Sequence, residues 1–145
     1  NYLVNICGEL RTKGLNVEKQ SGWTVAIENP NFDGSQSYDK VFVLKDKSMA
    51  TTGTYRKFKL DANGKRYAHI IDTKTGYPTK TNILSVSVIA EDCIMADGYA
   101  TAFQAMGVER VQQFLTQHTE LQAYLIFENE NKGFEVLALN NFPIK

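Results

Sequence analysis

The chain has 145 residues, the size of one domain with its own hydrophobic core. Its 16 basic and 16 acidic residues cancel to a formal net charge of zero, so we expect no nucleic-acid partner and no polybasic membrane contact. No apolar run is long enough to span a bilayer. The chain opens at Asn1 inside an apparent strand, so we expect a piece of a longer protein. Cys7 and Cys93 lie in apolar surroundings, which predicts two buried free thiols.

The first third of the chain alternates between strand patterns and polar segments. Residues 3–7 are mostly apolar and predict a buried strand, after which residues 12–22 read as a polar connection. Residues 23–28 and 38–44 predict two further strands. Residues 48–54 are dense in hydroxyl groups and small side chains. This composition suits close backbone packing or polar contact with a ligand, and a plain surface loop equally well.

A hairpin is predicted in the middle of the chain. Residues 55–60 and 65–71 flank the turn sequence Asp-Ala-Asn-Gly at residues 61–64. His69 lies on the second strand, just before a turn at residues 72–78 that is rich in side-chain oxygens. A histidine in this position is either a hydrogen-bonded structural residue or a proton acceptor in catalysis, and its neighbours alone leave both readings open.

The second half of the chain contains two consecutive helices between strands. A strand at residues 85–90 leads into a helix at residues 93–107, and a second helix follows at about residues 109–118. Residues 123–127 and 134–139 predict a closing hairpin. Many strands with two consecutive helices indicate the α+β class, with a mainly antiparallel sheet packed against the helices.

The helix at residues 93–107 carries the most informative side chains. Four residues at helical spacing predict its core face: Met95, Tyr99, Ala102 and Met106. The other faces are also apolar, which predicts a helix buried on most sides. Asp97 and Thr101 are four positions apart, so their oxygens lie on one face. A buried carboxylate needs a cation, a partner or hydrogen bonds, and this makes Asp97 a candidate metal ligand. The alternatives are a side chain that faces solvent or one that bonds a neighbouring loop.

Four motifs, taken together, resemble those of a known family. They are Cys-Gly-Glu-Leu-Arg at residues 7–11, Met-Ala-Thr-Thr-Gly-Thr-Tyr-Arg at 49–56, His-Ile-Ile-Asp-Thr-Lys-Thr-Gly-Tyr-Pro at 69–78, and Ala-Asp-Gly-Tyr-Ala-Thr-Ala at 96–102. In this order and spacing they resemble the C-terminal half of the ApbE family of FAD:protein FMN transferases, once called thiamine-biosynthesis lipoproteins. The resemblance covers essentially the whole chain. It implies one domain, residues 1–145, with an ApbE-like fold truncated on its N-terminal side.

The resemblance also implies a reaction. Family members use a divalent cation, usually Mg²⁺, and move the FMN half of FAD onto a threonine or serine hydroxyl of an acceptor flavoprotein while AMP leaves. Acceptors include subunits of the sodium-pumping NADH:quinone oxidoreductase and related redox complexes. Members are typically exported bacterial proteins with a lipid anchor, which implies the periplasm or the outer face of the inner membrane, with the anchor outside this chain. Hydrolysis of the FAD pyrophosphate and a non-catalytic flavin-binding module are the alternatives.

Six residues match positions to which the resemblance assigns roles. Asp97 and Thr101 correspond to metal ligands, and His69 corresponds to a base that deprotonates the acceptor hydroxyl. Nucleotide contacts are implied for three more residues: Glu9, Thr52 and the backbone of Ile71. The family's remaining metal ligand and most of its FAD contacts belong to the half that precedes this chain. The isolated chain is therefore expected to hold part of a site and to be inactive alone.

Overall fold

The computed structural model describes residues 1–31, 33, 35–54, 58–60, 62, 64 and 66–144. The strands among them are β1 Tyr2–Ile6, β2 Glu9–Lys13, β3 Trp23–Glu28, β4 Tyr38–Leu44, β5 Ser48–Gly53, β6 Phe58–Leu60, β7 Arg66–Ala68, β8 Ile83–Ala90, β9 Gln122–Glu128 and β10 Phe134–Leu139. The helices are α1 Cys93–Met106 and α2 Val108–Leu115. No helix in this described part is both long and apolar enough to cross a membrane.

Six strands form one antiparallel sheet in the order β1-β2-β5-β8-β9-β10. Two small hairpins, β3–β4 and β6–β7, complete the strand pairs of the described residues. The α+β prediction with a mainly antiparallel sheet and two consecutive helices is confirmed. The β6–β7 pair lies where a hairpin is predicted, while residues 55–57, 61, 63 and 65 of that prediction are outside the described residues.

The helices cover one face of the sheet. β8 is buried along its whole length, and α1 packs against both β8 and β5. Ala96 and Ala100 are fully buried, and their small side chains let the helix lie close to the strands. Phe103 is also fully buried, and its ring centroid lies 5.6 Å from that of Phe114 on α2. Gly107 ends α1 with a positive φ of 83°, which favours glycine.

The predicted core face of α1 is right only in part, because Tyr99 and Met106 are partly buried and pack against the core, whereas the most buried side of the helix is rotated away from them. Met95 is 40% exposed, and Ile94, expected to be enclosed, is 84% exposed. The buried residues are Ala96, Ala100, Phe103 and Gln104. The buried side of α1 therefore consists of two alanines near its start and two larger side chains near its end.

The β3–β4 hairpin covers the other face of the sheet. Its inward side chains are Val25, Ile27, Phe42 and Leu44, and they pack with residues of β5, β8 and β9. Tyr124 of β9 is 1% exposed, and its hydroxyl donates a hydrogen bond of 2.5 Å to Oδ2 of Asp39 on β4. Burial, followed by the bond to Asp39, raises the pKa of the Tyr124 hydroxyl well above its usual range. The hydroxyl therefore stays protonated and fastens the hairpin to the sheet.

Three strand predictions differ from the structure. Residues 3–7 do not form a buried strand, because β1 lies at the edge of the sheet with its outer side chains exposed: Tyr2, Val4 and Ile6. The polar connection predicted from residue 12 overlaps β2, which pairs with β1 and β5. Residues 48–53 form β5, a strand inside the main sheet and not a surface loop.

The prediction of two buried thiols is also wrong. Cys7 is exposed because it occupies, with Gly8, the tight turn between β1 and β2. Both residues have positive φ there, 56° at Cys7 and 113° at Gly8, as a two-residue hairpin turn requires. Cys93 is half-buried, and its Sγ lies 3.5 Å from the carbonyl oxygen of Leu10.

Candidate active site

An open cleft of about 730 Å³ lies where five parts of the chain meet. Its walls come from the β1–β2 turn, β3, the end of β5, the segment after β7, and α1. All six residues singled out from the sequence line it: Glu9, Thr52, His69, Ile71, Asp97 and Thr101. Segments that are far apart in sequence therefore converge on one surface, which is typical of a binding or catalytic site.

Asp97 and Thr101 form the wall that α1 contributes to the cleft. The helix begins at Cys93, and the Asp92 carboxylate caps it by accepting a 2.9 Å bond from the amide of Met95. Asp97 and Thr101 are both exposed to the cleft. The prediction of a buried Asp97 is therefore wrong, because Asp97 and Thr101 lie beside the buried face of α1 and not within it. Thr101 Oγ1 lies 3.3 Å from Oγ1 of Thr52 on β5.

His69 and Ile71 reach the cleft from the segment that follows β7. The strand ends at Ala68, earlier than predicted, so both residues lie beyond it. Between them, Ile70 is buried and its carbonyl oxygen accepts a 2.9 Å hydrogen bond from the amide of Thr79. The buried Ile70 anchors the segment, and its two neighbours are left exposed at the cleft.

Two carboxylates besides Asp97 line the cleft. Glu9 is half-buried at the start of β2. Glu28, which sequence reasoning missed, is half-buried at the end of β3, beside a register shift in the β3–β4 pair. Bulges of this kind occur often next to functional sites, but a lone acid before Asn29-Pro30 does not reveal one in the sequence. No lysine or arginine is present among the described lining residues. The described carboxylates favour a cation in this part of the cleft.

The oxygen donors on α1 fit a hard cation. Asp97 supplies a carboxylate and Thr101 supplies a hydroxyl. Mg²⁺ in proteins takes one or two carboxylates and leaves its other positions to water and phosphate oxygens, so this set suits Mg²⁺. Within the described residues, no group of three or more His, Cys, Asp or Glu side chains is placed to hold a metal.

Comparison with known proteins decides the family. The model of the ApbE family matches residues 1–125. The chain belongs to the ApbE family. Among curated relatives, an FAD:protein FMN transferase of Haemophilus influenzae is 38% identical over 142 residues, covering 98% of this chain and 40% of the relative. The enzyme of the same name from Vibrio cholerae is 37% identical, with 98% and 41% covered.

Solved ApbE structures confirm the fold. The flavin transferase ApbE from Vibrio cholerae superposes with a TM-score of 0.77 at 36% identity, covering 95% of this chain and 42% of that chain. The apo form of the Pseudomonas stutzeri flavinyl transferase ApbE gives a TM-score of 0.74 at 30% identity, with 94% and 40% covered. This ApbE chain spans about two fifths of the length of the curated relatives that it matches. The individual roles of the six cleft residues stay predictions.

Proposed function

We propose that the chain is the C-terminal part of a Mg²⁺-dependent FAD:protein FMN transferase. The observation that carries this proposal is the convergence of Glu9, Thr52, His69, Ile71, Asp97 and Thr101 on one cleft. The names of the curated relatives support the reaction class. Because those relatives are about 2.5 times longer, the proposal concerns the whole protein, with this chain as one wall of its site.

Asp97 and Thr101 would hold Mg²⁺ in this protein. Both residues offer hard oxygen donors from one face of α1, and the acidic surface around them favours a cation. When bound, Mg²⁺ would neutralise charge on the FAD pyrophosphate, whose cleavage releases AMP. The described cleft lining contains no lysine or arginine that could neutralise the pyrophosphate charge, so in this proposal the cation supplies the positive charge.

His69 would accept the proton of the acceptor hydroxyl. The oxygen of the acceptor threonine or serine attacks the phosphorus atom of the FMN half, the bond from that phosphorus to the bridging oxygen breaks, and AMP leaves with the electron pair. The proton that the hydroxyl loses passes to His69, whose side chain is exposed at the cleft. Positioning and charge stabilisation supply most of the catalysis in phosphoryl transfer, so few reactive side chains are needed.

The remaining cleft residues would position the nucleotide. Ile71 offers backbone groups, Thr52 a hydroxyl and Glu9 a carboxylate that accepts hydrogen bonds. We extend the proposal to an acceptor flavoprotein such as a subunit of the sodium-pumping NADH:quinone oxidoreductase or a related redox complex. The corresponding location is the bacterial periplasm or the outer face of the inner membrane, reached through an anchor outside this chain.

The full-length protein tests this proposal. It is incubated with FAD, Mg²⁺ and the acceptor subunit from its own organism, and AMP release and the intact mass of the acceptor are followed together. Transfer gives one equivalent of AMP for each FMN added to the acceptor, and EDTA abolishes both. AMP without a modified acceptor indicates FAD hydrolysis. Stable FAD binding without AMP release indicates a non-catalytic flavin-binding module.

A further inference from the structure

The hydroxyls of Thr52 and Thr101 contact each other on the wall of the cleft. Their Oγ1 atoms lie 3.3 Å apart, one on β5 and the other on α1. We propose that Thr52 is a positioning residue that accepts the proton of Thr101 and thereby turns a lone pair of Thr101 towards the metal. This inference rests on the proposed function, in which Thr101 is a metal ligand.

The number of donors and acceptors on each hydroxyl sets which of the two threonines would donate the hydrogen bond when a cation is bound. A threonine hydroxyl has one proton and two lone pairs. If Thr101 gives a lone pair to a cation, its proton must point away from the positive charge and needs an acceptor. Within the described part of the chain, Thr52 is the hydrogen-bond partner of the Thr101 hydroxyl. Thr101 therefore donates and Thr52 accepts, which leaves the proton of Thr52 free for donation into the cleft.

A bound cation would strengthen this arrangement. It would withdraw electron density from the oxygen of Thr101 and so make this hydroxyl a better donor to Thr52. Outer partners of this kind orient metal ligands and raise metal affinity in many sites. Asp97 lies one turn earlier on α1 and lines the same cleft, so the two residues would offer a cation a carboxylate and a hydroxyl from one helix.

Buried contacts on both elements hold the two hydroxyls in register. Thr52 pairs with Val86 in the β5–β8 ladder, and Val86 is fully buried. Gln104, about one turn after Thr101 and fully buried, donates its Nε2 to the carbonyl oxygen of Ile83 at 2.5 Å. The backbone carbonyl of Gln104 accepts a 3.0 Å bond from Oγ1 of Thr81. These bonds tie α1 to the start of β8, so the helix cannot slide along the strands that carry Thr52.

Direct metal binding tests the proposal without relying on activity. Mn²⁺ is titrated into the full-length protein, with and without FAD, and free Mn²⁺ is followed by electron paramagnetic resonance. We expect Thr52→Val to raise the Mn²⁺ Kd about tenfold. Thr52→Ser keeps the hydroxyl and should bind Mn²⁺ much as the unchanged protein does. Thr24→Val makes the same change at an exposed β3 position outside the cleft lining and should have no effect.

A double-mutant cycle with Thr101→Val tests whether Thr52 affects metal binding through Thr101 or independently of it. If Thr52 acts through Thr101, adding Thr52→Val to Thr101→Val causes no further loss of Mn²⁺ affinity. If the double variant instead raised the Mn²⁺ Kd by the product of the two single increases, the proposal would be overturned. So would a Thr52→Val protein that binds FAD more weakly without metal but keeps its Mn²⁺ Kd, since Thr52 would then contact only the nucleotide. An unchanged Mn²⁺ Kd in Thr101→Val alone would refute the metal site itself, and with it the role of Thr52.

Discussion

The carboxylate of Asp97 is solvated before any cation reaches it. Its side chain is exposed on the cleft wall, so the metal-free protein carries no desolvated charge at this position. The same exposure would let Mg²⁺ bind together with several of its water molecules, which this ion gives up reluctantly. A solvated carboxylate and an adjacent hydroxyl thus suit reversible binding of a hydrated cation better than a closed structural site.

For Asp97→Asn we expect a large change in metal dependence and almost none in stability. The amide removes the charge that attracts Mg²⁺, so the Mg²⁺ concentration for half-maximal FMN transfer should rise at least about tenfold. Without metal, the free energy of unfolding should stay within about 0.5 kcal/mol, as for other exposed substitutions. Glu109→Gln, the same change at an exposed position on α2, is the control. A loss of metal-free stability above about 1 kcal/mol would instead make Asp97 a structural hydrogen-bond acceptor.

The two histidines of the chain offer a matched pair for testing the base. His69→Ala in the full-length protein should slow acceptor modification about 100-fold, the usual contribution of a general base, with FAD affinity nearly unchanged. His118 stacks on Phe114, with ring centroids 4.0 Å apart, and is not part of the cleft lining. His118→Ala should therefore transfer FMN at the normal rate. Normal transfer by His69→Ala would assign His69 a structural role.

At the scale of elements, polar contacts join the apolar ones that fasten the β3–β4 hairpin to the sheet, and the bond between Tyr124 and Asp39 is one of them. Tyr124→Phe removes the hydroxyl bonded to Asp39 and should lower the free energy of unfolding by about 1–2 kcal/mol. Tyr38→Phe, at a position 62% exposed on the same hairpin, should change it little. Urea unfolding of both variants at neutral pH measures the difference. Equal free energies of unfolding for the two variants would show that the hydrogen bond to Asp39 makes no net contribution to stability.

The pKa of Tyr124 predicts how this difference depends on pH. Its hydroxyl has a folded-state pKa raised above the unfolded value of about 10, chiefly by burial. The linked stabilisation is therefore complete below about pH 10 and is lost as the pH rises beyond it. The stability gap between the unchanged protein and Tyr124→Phe should narrow when unfolding is measured at about pH 11. A gap that widens there would contradict the raised pKa.

Elements with strong periodicity were predictable, and those shaped by their neighbours were not. The bounds of β3, β4 and β10 follow from their alternation, and α1 from its acidic cap and final glycine. β5 contains serine, alanine and glycine, which rarely predict a strand by themselves. Its strand conformation is favoured by the close packing of α1 and by pairing with β8.

The sequence predicts which residues line the cleft, but it does not predict how exposed they are or how they are arranged. The motifs give the six lining residues, yet the burial of Asp97 was predicted wrongly because hydrophobicity alone does not fix the rotation of α1. Ile94 is among the most apolar residues of the helix and also one of its most exposed, at 84%. Glu28 was missed because its place in the cleft depends on how the β3–β4 hairpin docks.

At the scale of the whole molecule, the 145-residue chain contains a complete hydrophobic core but an open cleft. Both faces of the main sheet carry a buried cluster, so the chain expressed alone should unfold in urea in one cooperative transition. It should bind FAD only weakly, because it spans about two fifths of its curated relatives and its described cleft lining offers no basic side chain to the pyrophosphate. Fluorescence titration with FAD measures this. A submicromolar Kd would mean that the full pocket lies within these residues.

The cleft is assembled from segments separated by more than ninety positions, from the β1–β2 turn to Thr101 on α1. Its binding surface therefore exists only while the whole sheet is folded, and no short stretch of the unfolded chain reproduces it. Occupancy and folding are consequently linked: a ligand present at 100 times its Kd adds about 2.7 kcal/mol to the free energy of unfolding. If the proposed function holds, heat that melts the sheet would release the nucleotide in the same step, and the melting temperature of the full-length protein would rise with the nucleotide concentration.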